Sequence, residues 1–523
     1  MIIVEESFLG LYVRIVEDSM NIFTLSVPLY VNPYAYKKLG IKFNVAHHIY
    51  NAVLGECERR KKKYINSPNY IQAQEKYKLN LKSEYKILYA KAEADSKYTE
   101  NNIVKFVQSI RNKSWLEPHI NANETNQLAR RAFQASYKTL GWIKGKDNYK
   151  KAKVKFKRFG KDYIYSLDDG GSNSSSFKLK NIVDHPKLVW QGVELPLIVK
   201  SNDQVAIYCL SEKVKRKNIR IKRKLVNNKW NYFVDITCEG EIYNKPKNIL
   251  GSGVVGIDIG PSSIAYISDT KCKMDNICNI KQDIDLRKDI QRKITRLRIR
   301  LNPDKYNDNG TNKLRTQYKT KWISSHRLKE LEKKYSEVRR KNKESRRNSH
   351  GIICNEIRSL GDYLKVDKDS YKEWQSSGYG KSLENHSPGL LTKLLENKFN
   401  YTKGKFEAID TKNSKSSQRC PNCGNIKKKE LKDRIHTCQC GFEYQRDLTS
   451  AIVNKFYNTE LNSLNVNEAN NFIMGKQSIL STCIKELIQS VHQNRKFVVV
   501  AGTIPELQQI VAKDEVNTEI TLL

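Results

Sequence analysis

Between Ser417 and Ala451 the chain reads SQRCPNCGNIKKKELKDRIHTCQCGFEYQRDLTSA, and this stretch limits what the rest can be. Cys420, Cys423, Cys438 and Cys440 form a C-x2-C, C-x-C set, two tight turns that each offer two thiolates. Four sulfur ligands with no open position suit a tetrahedral, structural Zn²⁺ site. Disulfides or buried thiols are the competing reading. Against it, Glu5 and Glu6 stand where a secretory signal is basic, and the highly charged composition points to a reducing compartment. Seven residues beyond the last cysteine comes Asp447, with Leu448, Ala451, Ile452 and Phe456 following at helical spacing. Alone, Asp447 reads as an acid favoured by a helix N-terminus. What lies upstream gives it more meaning.

Charge narrows the function. Lys and Arg number 94 against 56 Asp and Glu, a net charge of +38. That excess marks a polyanionic partner, with nucleic acid the best fit. No apolar run reaches the roughly 18 residues of a membrane span, so no membrane partner is expected. The other seven cysteines lack ligand spacing and read as ordinary thiols.

In order, residues 8–30 alternate apolar and polar and predict one or two strands opening a β domain. From Asn44 the period becomes helical, with Val45, Ile49, Val53 and Leu54 on one face and the basic block Arg59, Arg60 and onward at the end. His47 and His48 point apart and read as a polar helix face. Helical signals continue to about Ile143; Leu128, Ala132 and Ala135 pack while Arg130 and Arg131 face outward. This composition suits a grip on a phosphate backbone, the alternative being a solvated bundle. From Lys151 to about Asn248 the pattern is β again, and NIRIKRKLV and KWNYFVDITCEG flank Asn227-Asn228 as a hairpin. Arg220, Lys222 and Lys224 alternate along one strand, as a cationic ladder for a phosphate backbone or a wet sheet face.

After the linker KPKNILGSG, VVGIDIGPSSIAYIS predicts a buried strand, a Gly-Pro turn and a second strand. Asp258 stands inside the first of these, where an acid is costly unless paired or bound to metal. Residues 281–350 hold 23 Lys/Arg and 9 Asp/Glu, net +14. Ile294, Leu297, Leu328, Leu331, Tyr335 and Val338 give them an apolar stripe. They read as two long basic helices, with Arg292, Arg296, Arg300, Arg339 and Arg340 toward a nucleic-acid channel. A further helix runs to Leu360, Gly361 stops it, and a strand from Tyr363 delivers Asp367. Glu356 falls in the helical stretch, as a solvent-facing or salt-bridging residue. The segment 457–523 holds 5 Lys/Arg and 7 Asp/Glu, net −2, and reads as a packing or protein-contact appendage with one amphipathic helix and a short strand.

The order strand-Asp258, basic helices, strand-Asp367, YKEWQ, YGKS, SPGLL, SQRCPNCG with C-x-CG, and QRDLTSA resembles the split RuvC domain and zinc ribbon of transposon-encoded TnpB proteins and miniature type V CRISPR effectors. The likeness is strong over the C-terminal half and weaker over the N-terminal β–helical–β arrangement. It implies an α/β multidomain fold, with an RNase H-like (RuvC) core, a zinc ribbon, and a β-barrel-like wedge carrying an α-helical recognition insert. The implied boundaries are wedge 1–35 and 151–250, recognition domain 36–150, RuvC-like parts I and II 251–415, ribbon 416–445, and part III with a C-terminal extension 446–523. The implied activity is RNA-guided DNA endonuclease: Asp258, Asp367 and Asp447 hold two Mg²⁺ ions, guide RNA pairing selects target DNA, and the setting is prokaryotic cytoplasm. The segment 457–523 departs from the family pattern, and its own composition makes it a contact for a second protomer or protein partner. One departure stands out, since the family's middle acid is usually Glu; Glu356, eleven residues earlier, is the rival for that place, but the GDYLKVDKDSYKEWQ context fits the family's middle motif at Asp367. Asp367 is shorter by a methylene, and a displacement of about 1 Å can cost on the order of 10²-fold in rate. A guided DNA binder with weak or no cleavage is therefore one alternative, and a transposon strand transferase another.

Overall fold

A computed structural model describes residues 22–140, 154–170, 176–182, 184–278, 281–314, 320–430 and 433–492. The strands expected before Ile22 and at residues 496–502, and the middle of the Gly/Ser-rich loop, lie outside the described residues. The chain divides into two compact units, Met1–Lys245 and Pro246–Leu523.

The first unit is helical and β. Strand β1 (Ile22–Pro28) leads to the long helix α1 (Pro33–Ile65). Asn32 caps that helix by accepting from the Ala35 N–H at 2.8 Å, Pro33 occupies its first turn, and Lys62 and Lys63 lie in its last. Helices α2 (Pro68–Lys78), α3 (Lys82–Ser96), α4 (Glu100–Asn112) and α5 (Ala122–Tyr137) bury their apolar stripes with it, Leu54, Ile103, Leu128 and Ala132 among the fully enclosed residues. Strand β2 (Ser166–Asp168) follows. Strands β3 (Phe177–Lys180), β4 (Lys187–Trp190) and β5 (Val193–Pro196) then make a small antiparallel sheet. After α6 (Gln204–Leu210) come β6 (Lys215–Val226) and β7 (Lys229–Glu239), which complete the four-stranded sheet β1-β7-β6-β2. Asn227 and Asn228 turn the predicted hairpin with φ of +48° and +63°, the left-handed pair that a two-residue turn requires.

Two expectations change here. Arg131 turns inward, donating to the Ser166 carbonyl at 2.8 Å and pairing with the Asp168 carboxylate. The buried Asp168 needs a cation, and helical periodicity carries no sign of an acid 37 residues downstream. His47 is buried rather than polar-faced. Its ring stacks on Phe159 and its Nε2 meets the Lys157 carbonyl at 2.8 Å.

The second unit is built on a five-stranded sheet ordered β10-β9-β8-β11-β12. Strands β8 (Val254–Ile259), β9 (Ser263–Ile267) and β10 (Cys272–Asn276) form an antiparallel meander, with Gly260 and Pro261 in the predicted turn. Helix α7 (Lys281–Leu301) and helix α8 (His326–Leu360) pack through buried Ile290, Ile294, Leu328 and Val338 with Leu297, Leu331 and Tyr335 half-buried beside them, which takes in the whole stripe the sequence shows. The stretch after Ser349 is not a separate helix. Gly351 has open space around it, and neither it nor the capping-type residues Asn348 and Ser349 break the run, so α8 continues to Leu360 with Gly361 as its C-cap. Strand β11 (Tyr363–Asp367) then joins β8 in parallel, and β12 (Lys405–Ile409) joins β11 in parallel. Between those two strands lie short helices α9 (Tyr371–Trp374) and α10 (Gly380–His386) and the longer α11 (Pro388–Tyr401), whose Leu391, Leu395 and Phe399 are buried with Val255, Ile257 and Leu364 of the sheet.

Helix α12 (Thr411–Ser414) precedes the cysteine turns, strands β13 (Ile435–Thr437) and β14 (Glu443–Gln445) pair behind them, and α13 (Arg446–Phe456) follows directly. Helix α13 lies close on β8. A Cβ added at Gly256 would stand 2.1 Å from the Ala451 carbonyl oxygen, so only glycine permits the approach. Helices α14 (Val466–Gly475) and α15 (Gln477–His492) supply Phe472, Leu480, Cys483 and Ile484 to the core shared with Cys272, Tyr444 and Leu448. No helix among the described residues is long and apolar enough to cross a membrane.

Candidate metal centres

The four cysteines converge because two backbone turns close on themselves. The Gly424 N–H donates to the Cys420 carbonyl at 2.9 Å, and the Gly441 N–H to that of Cys438 at 3.0 Å. Both glycines take positive φ, +75° and +83°, where a side chain would be strained. Cys420 and Cys440 bring their sulfurs to 3.6 Å, Cys423 and Cys438 to 3.5 Å, and all four ligand atoms lie within 4.8 Å of one another. A tetrahedral zinc with Zn–S bonds near 2.3 Å sets its sulfurs about 3.8 Å apart. The donor set therefore fits Zn²⁺ in both chemistry and spacing. Asn422 Nδ2 donates to the Cys440 sulfur at 3.4 Å, a contact that helps orient a thiolate.

The carboxylates gather differently. Val366 pairs with Ile257 in the parallel ladder, so Asp258 and Asp367 follow at neighbouring ends of β8 and β11. Asp447 lies in the first turn of α13, whose N-cap Gln445 accepts from the Leu448 N–H at 2.8 Å. Burial, and then the charges of Asp447, Asp367 and Asp369, hold the Asp258 carboxyl well above the usual carboxylate range. Burial likewise raises Asp367 to about 6, against hydrogen bonds from Ser416, Asn454 and Ser414. The Ser416 hydroxyl donates to Asp367 at 2.6 Å and that of Ser414 at 3.5 Å. Asn454 also donates to the Ile257 carbonyl at 2.8 Å, tying α13 to the strand that carries Asp258.

Asp369 is the residue that sequence reasoning missed. Burial, then the neighbouring Asp367 charge, lifts it to about 7. Its signal was the D-x-D spacing at the end of β11, where period two returns a side chain to the same face. Ser416 and Asn454 were missed as well, and nothing in their local sequence marks them. Like charges crowded in this way favour a bound divalent cation, and carboxylate oxygens are the donors Mg²⁺ prefers. Among the described residues, however, the cysteines are the one set of three or more Cys, His, Asp or Glu side chains whose ligand atoms all lie within 4.8 Å. Glu356 is apart from this group, accepting from Lys271 at 2.7 Å and Lys273 at 3.5 Å.

The predicted nucleic-acid contacts fall into two kinds. In the first unit most cations have internal partners. Arg59 forks onto Glu56, Arg60 donates to the same carboxylate through Nε and to the Lys97 carbonyl through Nη1, Arg130 lies 3.2 Å from Glu100, Arg220 lies 3.1 Å from Asp168, and Lys222 pairs with Asp235. In the second unit Arg340 is held between Glu337 and Glu344, while Arg339 is exposed beside the Tyr335 ring. Arg292, Arg296 and Arg300 stand exposed one turn apart along α7, a single cationic face.

The fold and its sites thus define a mixed α/β chain in which a closed four-sulfur cluster follows two strand-borne acids and precedes a helix-borne third along the sequence. Residues 389–453, spanning α11 to the first turns of α13, match the family model for the Cas12f1-like, TNB domain. The chain is Cas12f1-like over this segment, which bears out the likeness to miniature type V effectors read from the motif order. Two solved structures are also similar. One, a Cas12f1–sgRNA–target DNA complex, is 13% identical with a TM-score of 0.35, covering 84% of this chain and 99% of that one. The other, a CRISPR-Cas12f ternary complex, is 14% identical with a TM-score of 0.26, covering 81% and 85%. No curated protein matches.

Proposed function

We propose that this chain is an RNA-guided DNA endonuclease with an RNase H-like (RuvC) core formed by 251–415 and 446–523. The observation that carries this reading is the gathering of Asp258, Asp367, Asp369 and Asp447 from two parallel strand ends and a helix start, the last of them inside the Cas12f1-like segment. Residues 1–35 and 151–250 would be the wedge and 36–150 the recognition insert. Asp258, Asp367 and Asp447 are the residues that would hold two Mg²⁺ ions, with Asp369 within reach. Bound there, the ions would activate water and stabilise charge on the scissile phosphate. The chain's own contribution is positional. Ser416, Ser414 and Asn454 fix the Asp367 carboxylate, and Gly256 lets α13 bring Asp447 down onto β8. The α7 face of Arg292, Arg296 and Arg300 offers a nucleic-acid backbone a row of charges, and a bound guide RNA would supply sequence choice. The four thiolates would hold Zn²⁺ as a structural brace.

A second reading rests on Asp367 itself. Its carboxylate is short, buried and already engaged by two hydroxyls, which suits a guided binder that cuts slowly. Protein purified with its RNA and given a matching duplex with Mg²⁺ separates the two. Cut ends that vanish in Asp447→Ala, with binding retained, support the nuclease. Intact, tightly bound DNA from wild-type protein supports the binder.

A further inference from the structure

In the first unit, residues 154–163 lie as a strap along α1. Asn51 holds both sides of Lys157, its Nδ2 donating to the Lys157 carbonyl at 2.7 Å and its Oδ1 accepting the Lys157 N–H at 2.9 Å. Buried His47 donates to or accepts from that same carbonyl, at 2.8 Å, and stacks flat on Phe159, with centroids 4.0 Å apart and an interplanar angle of 8°. The strap so fixed presents its aromatic rings outward. Phe159 is 56% exposed and Phe156, which rests over Gly55, 50%. His48 bridges to a third ring, 4.6 Å from Phe159 and 6.0 Å from Trp115, itself 62% exposed on the turn after α4. Buried Leu116 and Ile120 anchor that turn, so Trp115 is not exposed for want of a core.

Single exposed apolar residues need no explanation. A connected row of rings with one face supported and the other open to solvent does. Its surroundings decide the occupant. Lys113, Lys155 and Lys161 are exposed on the same two segments, and the chain as a whole carries +38. Lysines are depleted where proteins meet proteins, whereas open rings among cations are the pattern that binds unpaired nucleotides. We propose that Trp115, Phe159 and His48 form a stacking platform for unpaired bases, with Phe156 extending it along α1. A duplex hides its base faces, so the ligand class is single-stranded nucleic acid. This rests on the reading of the chain as one that carries a guide RNA, and it names where an unpaired segment of such a partner is held.

The test uses the full-length protein, oligo(U) RNA, oligo(dT) DNA and a blunt duplex. A photoreactive thiouridine in the RNA, or thiothymidine in the DNA, should crosslink to Trp115 or Phe159, and the duplex should not. The double variant Trp115→Ala/Phe159→Ala should bind single strands on the order of 10- to 100-fold more weakly at unchanged salt dependence, while Trp115→Phe keeps most of the affinity. Lys155→Glu/Lys161→Glu should instead flatten the salt dependence. RNA and DNA arms tell a guide segment from a displaced DNA strand, and binding of either supports the platform. Both ring sites are exposed, so an unchanged melting temperature is expected and would be checked. Wild-type affinity in the double variant, crosslinks confined to other residues, or loss of self-association without loss of nucleic-acid binding would overturn the platform. Guided cutting unaffected by the double variant, with unchanged RNA affinity, would sink the platform and leave the nuclease reading standing.

Discussion

The cysteine cluster ends seven residues before Asp447, the last of the acids, yet the two clusters obey opposite rules. Four thiols are brought within 4.8 Å by two local turns, each closed by its own backbone hydrogen bond and a positive-φ glycine. The carboxylates arrive from two strands and a helix, separated by 109 residues between Asp258 and Asp367 and by 80 between Asp367 and Asp447. They do not close to ligand distance as a set, and burial, with the charges of the others added, pushes Asp258 upward. The first cluster is shaped by the chain alone. The second is an arrangement of repelling groups whose spacing a cation would tighten. Local geometry makes a brace; long-range convergence makes a site that remains responsive to what binds it.

The largest effect should come from the brace. Cys420→Ser removes a buried ligand, and because structural zinc is worth about 10 kcal/mol or more of apparent binding energy, the segment 416–445 should lose its metal and its protease resistance together. Metal analysis should find about one zinc equivalent in wild-type protein. A zinc-free protein with an intact ribbon would erase the contrast between the two clusters.

Next comes the approach of α13. Gly256→Ala forces a methyl to 2.1 Å from the Ala451 carbonyl, so the helix must move or the strand must bend. Overpacking of this kind costs about 1–3 kcal/mol, occasionally more. Cutting should fall more than stability does, since Asp447 rides on that helix. A drop in melting temperature with full cutting would mean Asp447's position is not what matters.

Smaller and more informative are the changes at the strand end. Asp367→Glu restores the longer arm of the resembled family but must displace the Ser416 hydroxyl. A rise in cutting would show a detuned site; a fall of about 10-fold or more would show a pocket adapted to Asp. Asp369→Asn should lower cutting less than any change at Asp258, and indifference there would remove Asp369 from the site.

A buried acid outside both clusters calibrates how much enclosure alone shifts a carboxyl. Glu124 is fully enclosed, accepts from Trp190 Nε1 at 2.5 Å, and is lifted by burial to about 7. Its folded pKa exceeds the unfolded value near 4.3, so its contribution to stability is most favourable below about pH 4 and declines as pH rises to about 7. Lys42, lowered by burial to about 8, runs the other way, its penalty easing between about pH 8 and about pH 10. Stability should therefore dip near pH 7–8 by an amount on the order of a few kcal/mol, read as a lowered melting temperature there. Glu124→Gln should flatten the acid limb, and an unchanged pH profile would count against a charged carboxylate there.

What was legible in the sequence follows the same division. The four cysteines, the Asn227-Asn228 hairpin and the strand around Asp258 rest on spacing and turn chemistry, which a few neighbouring residues set. Arg131 and His47 were misread because their partners, Asp168 and Phe159, lie far along the chain and periodicity shows only which face a residue occupies. The continuation of α8 through Gly351 was missed because a lone glycine costs only about 1 kcal/mol in a helix held by packing at both ends. Ser416 and Asn454 carry no local mark at all. Asp369 did, in its period-two relation to Asp367, whereas the close approach at Gly256 shows only once α13 is folded onto β8.

We propose a cleavage site formed by the repelling acids and distinct from the nucleic-acid grip. Its most direct measurement is the fate of a guide-matched DNA duplex given to RNA-loaded wild-type protein and to Asp258→Asn, in Mg²⁺, with binding and cutting followed in the same tube. Wild type should bind and cut. Asp258→Asn should bind with affinity within about 3-fold while cutting falls by at least about 100-fold. Equal cutting by both proteins, or equal absence of it with tight binding, would contradict the account.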